Sequence, residues 1–109
     1  MSKVKFFLSG KVAIVSVTKE ELDNLGASYE HTEGLSDVPR VIEGVEVGVV
    51  IKENNDKFKI SLRTNKYVDA TEIAKHFDGG GHKRAAGCVS YASLEETEKK
   101  LIDVITKLL

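Results

Sequence analysis

The sequence predicts a single α+β domain in which a mixed β-sheet of about four to five strands packs with about four helices. Two observations lead to this prediction. Short runs of β-branched apolar residues alternate along the chain with segments that carry helix-start patterns. Two of the strand-like runs are separated only by a short polar turn, which indicates one antiparallel hairpin. The 109 residues are enough for one hydrophobic core.

The first half of the chain predicts one strand and two helices. Residues 12–17 are apolar and largely β-branched, as in a strand buried on both faces. Thr18 then opens a capping-box pattern, which predicts a short helix. Residues 28–42 predict a short or broken helix, because a glycine and the single proline interrupt the apolar spacing. Residues 1–10 are interpreted as an N-terminal extension or linker remnant, and residues 11–109 as the domain.

The hairpin lies in the middle of the chain. Apolar residues alternate with other residues in 45–51 and again in 58–62, and the polar residues 53–56 lie between these runs. Successive side chains of a strand point to opposite faces of the sheet. The period of two therefore places Ser61 and Arg63 on the face away from the core.

The second half predicts further short elements. Residues 67–68 suggest a short strand, and residues 69–77 have a capping pattern followed by the apolar stripe of a short helix. Residues 82–86 predict a new short helix that stops at the next glycine. Residues 88–91 predict the last strand, and residues 93–108 predict the final amphipathic helix.

Residues 79–87, Gly-Gly-Gly-His-Lys-Arg-Ala-Ala-Gly, are the most informative segment. Consecutive glycines allow a sharp turn and a close approach to the backbone. With a helix starting near residue 82, the backbone N–H groups would form an anion site that the basic side chains complete. The predicted substrate-binding residues are Arg63, Gly79, Gly80, Gly81, His82, Lys83 and Arg84. From the residues alone, a mobile glycine loop and a solvated surface arginine remain the commoner interpretation.

Composition limits the function classes. The chain has 16 basic and 17 acidic residues, so a general basic surface for coating nucleic acid is not expected, and nucleotide binding must be local. Cys88 is the single cysteine, which excludes an internal disulfide and fits a reducing compartment. No apolar run has the length of a membrane span, so a cytoplasmic protein without a membrane partner is expected. No cysteine or histidine spacing typical of zinc is present, and no metal site is predicted in this chain.

The glycine segment closely resembles the GGGH-x-x-A-A-G signature of the DHH-associated domain, the C-terminal half of DHH phosphoesterases. The resemblance extends from about residue 11 to the end of the chain. Further segments occur in the order seen in one subgroup, the bifunctional oligoribonuclease and pAp phosphatase proteins. These segments are residues 31–35, 44–47, 59–63 and 67–69.

The resemblance implies a division of labour. In the family, a separate N-terminal DHH domain binds two divalent metals, usually manganese, and the C-terminal domain holds the substrate nucleotide. The sequence contains no Asp-His-His motif, so no catalytic residue is assigned and the isolated chain is expected to be inactive. The implied partners are a short oligoribonucleotide or nucleotide phosphate and the DHH domain of the same protein; a homodimer stays open. The resemblance assigns substrate contact to Arg63 and to the loop from Gly79 to Arg84, with His82 nearest the phosphate.

Two positions depart from the family pattern, and more than one function stays open. Thr64 stands where serine is frequent and keeps the hydroxyl, whereas Thr71 stands where asparagine is frequent, which puts any contact of that asparagine in doubt. A related domain occurs in cyclic-dinucleotide phosphodiesterases and RecJ-like exonucleases. A non-catalytic RNA-binding module, as in alanyl-tRNA synthetases, and a simple dimerisation domain also stay open as interpretations.

Overall fold

The computed structural model describes residues 4–18 and 44–109, and all structural statements below concern these residues. They form a six-stranded mixed sheet in the order β1-β2-β3-β4-β6-β5. Only β2 and β3 pair in parallel, and the other neighbours are antiparallel. The strands are β1 (Val4–Phe7), β2 (Val12–Val17), β3 (Val47–Asn54), β4 (Lys57–Thr64), β5 (Gly80–His82) and β6 (Ala85–Ser90). The helices are α1 (Ala70–Ala74), a 3-10 turn (Lys75–Phe77) and α2 (Leu94–Thr106).

The central strands form where the apolar pattern predicted them. The predicted strand 12–17 is β2, and all of its residues except Ser16 are buried. The predicted hairpin is β3 and β4, joined at Asn55 and Asp56. Asn55 has φ 60°, a left-handed conformation that asparagine tolerates better than most residues.

The main core lies on one face of the sheet. Ile60 and Leu62 of β4 point into it and are buried together with Ile73 of α1 and with Leu101 and Ile105 of α2. Burying such side chains contributes roughly 1.5–3 kcal/mol each relative to an exposed position. This packing confirms that β4 turns its apolar residues inward, so Ser61 and Arg63 lie on the opposite face.

Both helices begin at the predicted caps. Asp69 accepts a hydrogen bond from the N–H of Thr71 at 2.9 Å, and Ser93 accepts one from the N–H of Glu96 at 3.2 Å. Ser90 and Thr97 share a buried hydroxyl–hydroxyl hydrogen bond of 2.7 Å, which joins β6 to α2. The capping patterns therefore located the helix starts correctly.

The number of elements differs from the prediction. The sheet has six strands, not four to five, because residues 4–7 pair with β2 and residues 80–82 form β5. Four- and three-residue strands are too short to show a clear period of two. Residues 67–68 form no strand, because their N–H groups bind a side chain instead. The described residues contain two α-helices, and the predicted helices after Thr18 and in 28–42 lie outside them.

The predicted helix over 82–86 is wrong, because residues 80–90 form the β5–β6 hairpin with Lys83 and Arg84 at its turn. Ala86 and Cys88 are buried on the core face and pair with Leu62 and Ile60 of β4. The hairpin provides no helix N-terminus, so any anion contact must come from side chains and strand N–H groups.

No helix in the described part is long and apolar enough to cross a membrane.

Candidate functional site

The register of three strands places Arg63 and His82 in one row. Arg63 of β4 is opposite Ala85 of β6, and Ala85 is opposite His82 of β5. Paired residues in a sheet point to the same face, so both side chains project from the face opposite the core. Two strand spacings separate their Cα atoms by about 10 Å. Two long side chains at this separation can converge on one anionic group.

The neighbouring row consists of small residues. Ser61 is opposite Gly87, and Gly87 is opposite Gly80. Within the described part of the chain, a Cβ added at Gly80 would meet no atom within 4 Å. At Gly87 it would meet only the carbonyl oxygen of Ile60, at an ordinary 3.6 Å. Neither glycine has a positive φ, so neither local packing nor backbone conformation requires glycine at these positions. We call Ser61, Gly87 and Gly80 the small-residue floor.

Gly79 and Gly81 have a different role. A Cβ at Gly79 would overlap the carbonyl oxygen of Gly87 and would lie 2.5 Å from the Cβ of Cys88. A Cβ at Gly81 would lie 2.7 Å from the carbonyl oxygen of Ala85, and its φ is 149°. Both glycines are required for the close approach of β5 and β6. Two of the three consecutive glycines therefore serve the fold.

Arg84 is turned toward the loop between β4 and α1. Its Nη1 donates to the carbonyl of Val68 at 2.6 Å and to Oγ1 of Thr64 at 3.2 Å, and its Nη2 donates to the carbonyl of Lys66. Lys83 has an exposed side chain, and its carbonyl accepts hydrogen bonds from Ala70 N at 2.7 Å and Thr64 Oγ1 at 3.2 Å. Of the predicted site residues, the face opposite the main core thus carries Arg63, which is half-buried, and Gly80 and His82, which are exposed.

Glu46 was not identified from the sequence. Its side chain is only 4% exposed, and its carboxylate accepts hydrogen bonds from the N–H groups of Lys66, Tyr67 and Val68 at 2.9–3.1 Å. Burial raises the pKa of Glu46, but hydrogen bonds from the backbone of residues 65–68 lower it, and the net pKa lies below its ordinary value. The only indication in the sequence is an acidic residue between Val45 and Val47, which alternation alone interprets as a solvent-facing position.

A groove of about 680 Å³ lies beside the residues that precede β5 and the second half of β6. Phe77, Cys88, Tyr91 and Lys100 contribute to its walls, and Gly79 is its single predicted site residue. The ammonium of Lys100 lies 4.4 Å from the centre of the Phe77 ring. Burial raises the pKa of Cys88 to about 12, so its thiol stays protonated at neutral pH and is a poor nucleophile.

Metal ligands are not clustered in this part of the molecule. Across residues 4–18 and 44–109, no three His, Cys, Asp or Glu side chains are placed to hold a metal ion. On the sheet face opposite the main core, Arg63 offers a positively charged guanidinium and His82 offers ring nitrogens. Such a face can hold a phosphate, and the small-residue floor allows a ligand to lie against the strands.

The described residues thus define a small α+β domain with a six-stranded mixed sheet. The DHHA1 domain matches residues 9–109, and the chain belongs to this family. The predicted family is thus confirmed. The bifunctional oligoribonuclease and PAP phosphatase NrnA of Thermus thermophilus is 27% identical over 106 residues, which cover 96% of this chain and 31% of that protein.

Solved structures agree on the fold. An exopolyphosphatase-related protein from Bacteroides fragilis superposes with a TM-score of 0.88 at 30% identity, over 95% of this chain and 31% of that one. The C-Ala domain of Aquifex aeolicus alanyl-tRNA synthetase has a TM-score of 0.67 at 16% identity, over 98% and 97% of the two chains. The latter likeness concerns the fold alone. The chain spans about a third of the length of NrnA and of the Bacteroides protein.

Proposed function

We propose that this chain is the nucleotide-binding module of a DHH-family phosphoesterase of the oligoribonuclease and pAp phosphatase type. It holds a short oligoribonucleotide or a nucleotide phosphate against the DHH domain of the same protein. The observation that carries the proposal is the row of half-buried Arg63 and exposed His82 on the sheet face opposite the main core, beside the small-residue floor. The similarity to NrnA supports this substrate class.

Each part of the face has a role in the proposal. The planar guanidinium of Arg63 is suited to donate two parallel hydrogen bonds to phosphate oxygens. Its Nη1 also donates to the carbonyl of Leu62 at 3.1 Å, which orients the group along its own strand. His82 supplies a ring N–H from the other side of Ala85. The small-residue floor lets the sugar or backbone of the ligand approach the strands without meeting side chains.

The hydrolytic step belongs to the DHH domain in this proposal. Divalent metal, with manganese as the expected ion, would be bound there and would activate the attacking water. The described residues of this chain contribute orientation and charge neutralisation at the phosphate. The chain alone is accordingly expected to bind nucleotide weakly and to hydrolyse none.

Different substrates make different demands on the surface. A pGpG-specific phosphodiesterase from Vibrio cholerae shares the fold, with a TM-score of 0.60 at 12% identity. The family resemblance leaves a cyclic-dinucleotide phosphodiesterase as an alternative, so a cyclic dinucleotide is included in the binding test. A module that follows tRNA would need an extended basic face, whereas the formal net charge of the chain is −1. The charge therefore argues against a structured RNA as the ligand, and this function ranks second to the proposed one.

The test is a titration of the chain with a trinucleotide RNA, pAp and a cyclic dinucleotide at several salt concentrations. Arg63→Ala and His82→Ala are each expected to weaken RNA binding about tenfold or more, because a hydrogen bond to a charged group contributes roughly 1.5–3 kcal/mol. Lys107→Ala removes a positive charge at the exposed end of α2 and serves as the control with near-native affinity. Equal affinities for all four proteins would contradict the assignment of the site.

A further inference from the structure

The loop of residues 65–68, between β4 and α1, is held by two side chains of opposite charge. Glu46 accepts hydrogen bonds from its N–H groups, and Arg84 donates to its carbonyl groups. We propose that Glu46 and Arg84 form a clamp that positions Arg63 and His82, and that Arg84 is a positioning residue, not a phosphate ligand. The binding part of this inference rests on the proposed function.

The carboxylate of Glu46 gives the clamp its buried side. A buried charge is tolerated only when it is well hydrogen-bonded, and Glu46 meets this condition with the N–H groups of three consecutive residues. The main chain of Glu46 adds two contacts: its N–H donates to the carbonyl of Lys11 at 2.8 Å, and its carbonyl accepts from Asn65 N at 2.9 Å. The loop is thereby fixed to the start of β3.

The guanidinium of Arg84 gives the clamp its outer side. Its acceptors are the carbonyls of Lys66 and Val68 and the hydroxyl of Thr64, which lie along one stretch of chain. A planar fork can reach three separate acceptors at once, whereas a lysine ammonium is a compact point charge on a flexible stem. These contacts engage three of the five N–H donors of the guanidinium.

The clamp acts on the immediate neighbours of the proposed ligand-binding residues. Thr64 follows Arg63 directly, and its N–H donates to the carbonyl of Arg84 at 3.0 Å. The hydroxyl of Thr64 donates to the carbonyl of Lys83, which follows His82. The same hydroxyl accepts the hydrogen bond from Arg84. Thr64 is therefore the link through which the loop sets the separation of Arg63 and His82, and its hydroxyl explains how threonine can replace serine here.

The first test compares Arg84→Lys and Arg84→Met. Amide hydrogen exchange of residues 66–68 reports on the loop without any ligand, and trinucleotide RNA titrations at several salt concentrations report on the site. We expect both variants to speed exchange in the loop and to weaken RNA binding to a similar extent. The salt slope should stay at its native value, whereas Arg63→Ala should reduce it by about 0.7, the contribution of one phosphate contact on single-stranded nucleic acid.

A phosphate ligand would behave differently from a positioning residue. Arg84→Lys would then keep most of the affinity, Arg84→Met would lower the salt slope, and exchange in the loop would stay native. This set of results would overturn the proposal. Native exchange rates in both variants would overturn it as well, whether or not RNA binds.

Glu46→Gln provides an independent second test. Removing a negative charge should strengthen the binding of an anion if electrostatics alone mattered. The clamp predicts weaker RNA binding together with faster amide exchange in the loop. In the Glu46→Gln/Arg84→Met double variant, the loss of RNA-binding free energy should be smaller than the sum of the two single losses. Stronger binding or fully additive losses would contradict it. If the native chain binds no nucleotide, the proposed function fails, and the exchange measurements still decide whether the clamp exists.

Discussion

The β5–β6 hairpin contains two pairs of glycines, and the two pairs differ in how closely they are packed. Gly79 and Gly81 are closely packed, because a Cβ at either position would lie within 2.7 Å of a backbone carbonyl oxygen. Gly80 and Gly87 face each other across the pair, and an added Cβ would be accommodated at both. The first pair of glycines is explained by the fold. Packing does not explain the second pair; in the proposed function these two glycines leave room for the ligand.

The same distinction separates the two arginines assigned to the site. Arg84 donates its hydrogen bonds to the loop of residues 65–68, whereas Arg63 projects beside the small-residue floor in the row of His82. The glycine-rich segment is thus not one uniform phosphate loop. Some of its residues are needed for the packing of the hairpin, and others project from the face opposite the main core. Substitutions can test these two groups separately.

The largest expected effect on stability is that of Gly79→Ala. The added Cβ would overlap the carbonyl oxygen of Gly87 and lie 2.5 Å from the Cβ of Cys88, and neither can move without shifting β6. We expect the free energy of unfolding to fall by about 3 kcal/mol, the upper range for overpacking a closely packed site. Urea denaturation measures this change.

The matched control for Gly79→Ala is Gly80→Ala, one residue further along the chain. Its Cβ would enter open space within the described structure, so the free energy of unfolding should stay within about 0.5 kcal/mol of the native value. If both variants unfolded at the same urea concentration, the division of the glycines into two groups would be wrong.

The sequence predicted the parts of the fold that have a periodic pattern. The buried strand β2, the β3–β4 hairpin and the capped starts at Asp69 and Ser93 all follow from alternation or capping chemistry. The β5–β6 hairpin could not be predicted in this way, because glycine and alanine carry no hydrophobic period and the helical interpretation of residues 82–86 had equal local support. Its position depends on pairing with β4, whose residues precede their β6 partners by between 22 positions, for Arg63 and Ala85, and 32 positions, for Phe58 and Ser90.

The candidate site was predicted in the same uneven way. The outward direction of Arg63 follows from the period of two in β4 and is confirmed by the burial of Ile60 and Leu62. Glu46 was missed because alternation classifies a polar residue between valines as exposed, and its partners, the N–H groups of residues 66–68, come from a distant segment. The contacts of Arg84 depend on the same segment, because two of its acceptors are the carbonyl groups of Lys66 and Val68. Side-chain direction within a strand is local information, whereas contacts between a loop and a buried charge are not.

A smaller effect is expected when the buried carboxylate that fixes the loop is neutralised. In Glu46→Gln, the N–H groups of residues 66–68 lose a charged acceptor, which should lower the free energy of unfolding by about 1–3 kcal/mol at neutral pH. Because the pKa of Glu46 is lower in the folded than in the unfolded protein, the stabilisation is complete above the ordinary pKa of 4.5. It is lost as the pH falls through the lower, folded pKa.

The measurement is urea denaturation of native protein and Glu46→Gln between neutral and acidic pH. The difference between them should shrink as the pH falls below 4.5. Glu72→Gln is the control, because Glu72 is exposed and pairs with Lys75 at 3.2 Å in a surface ion pair that contributes about 0–1 kcal/mol. A difference that stayed constant with pH would mean that the charge of Glu46 does not hold the loop.

The smallest effect on stability is expected for Gly80→Ala, and this variant tests the exposed side of the hairpin directly. The methyl group would project from the small-residue floor, beside Gly87 and next to the row of Arg63 and His82. A ligand that lies against the strands would meet it, so the affinity for trinucleotide RNA should fall about tenfold, which corresponds to about 1.4 kcal/mol. The salt slope should stay native, since no charge is removed. Gly79→Ala would then lose stability, whereas Gly80→Ala would lose RNA affinity. Native affinity in Gly80→Ala would mean that the ligand does not approach the floor, and the glycine at that position would need another explanation.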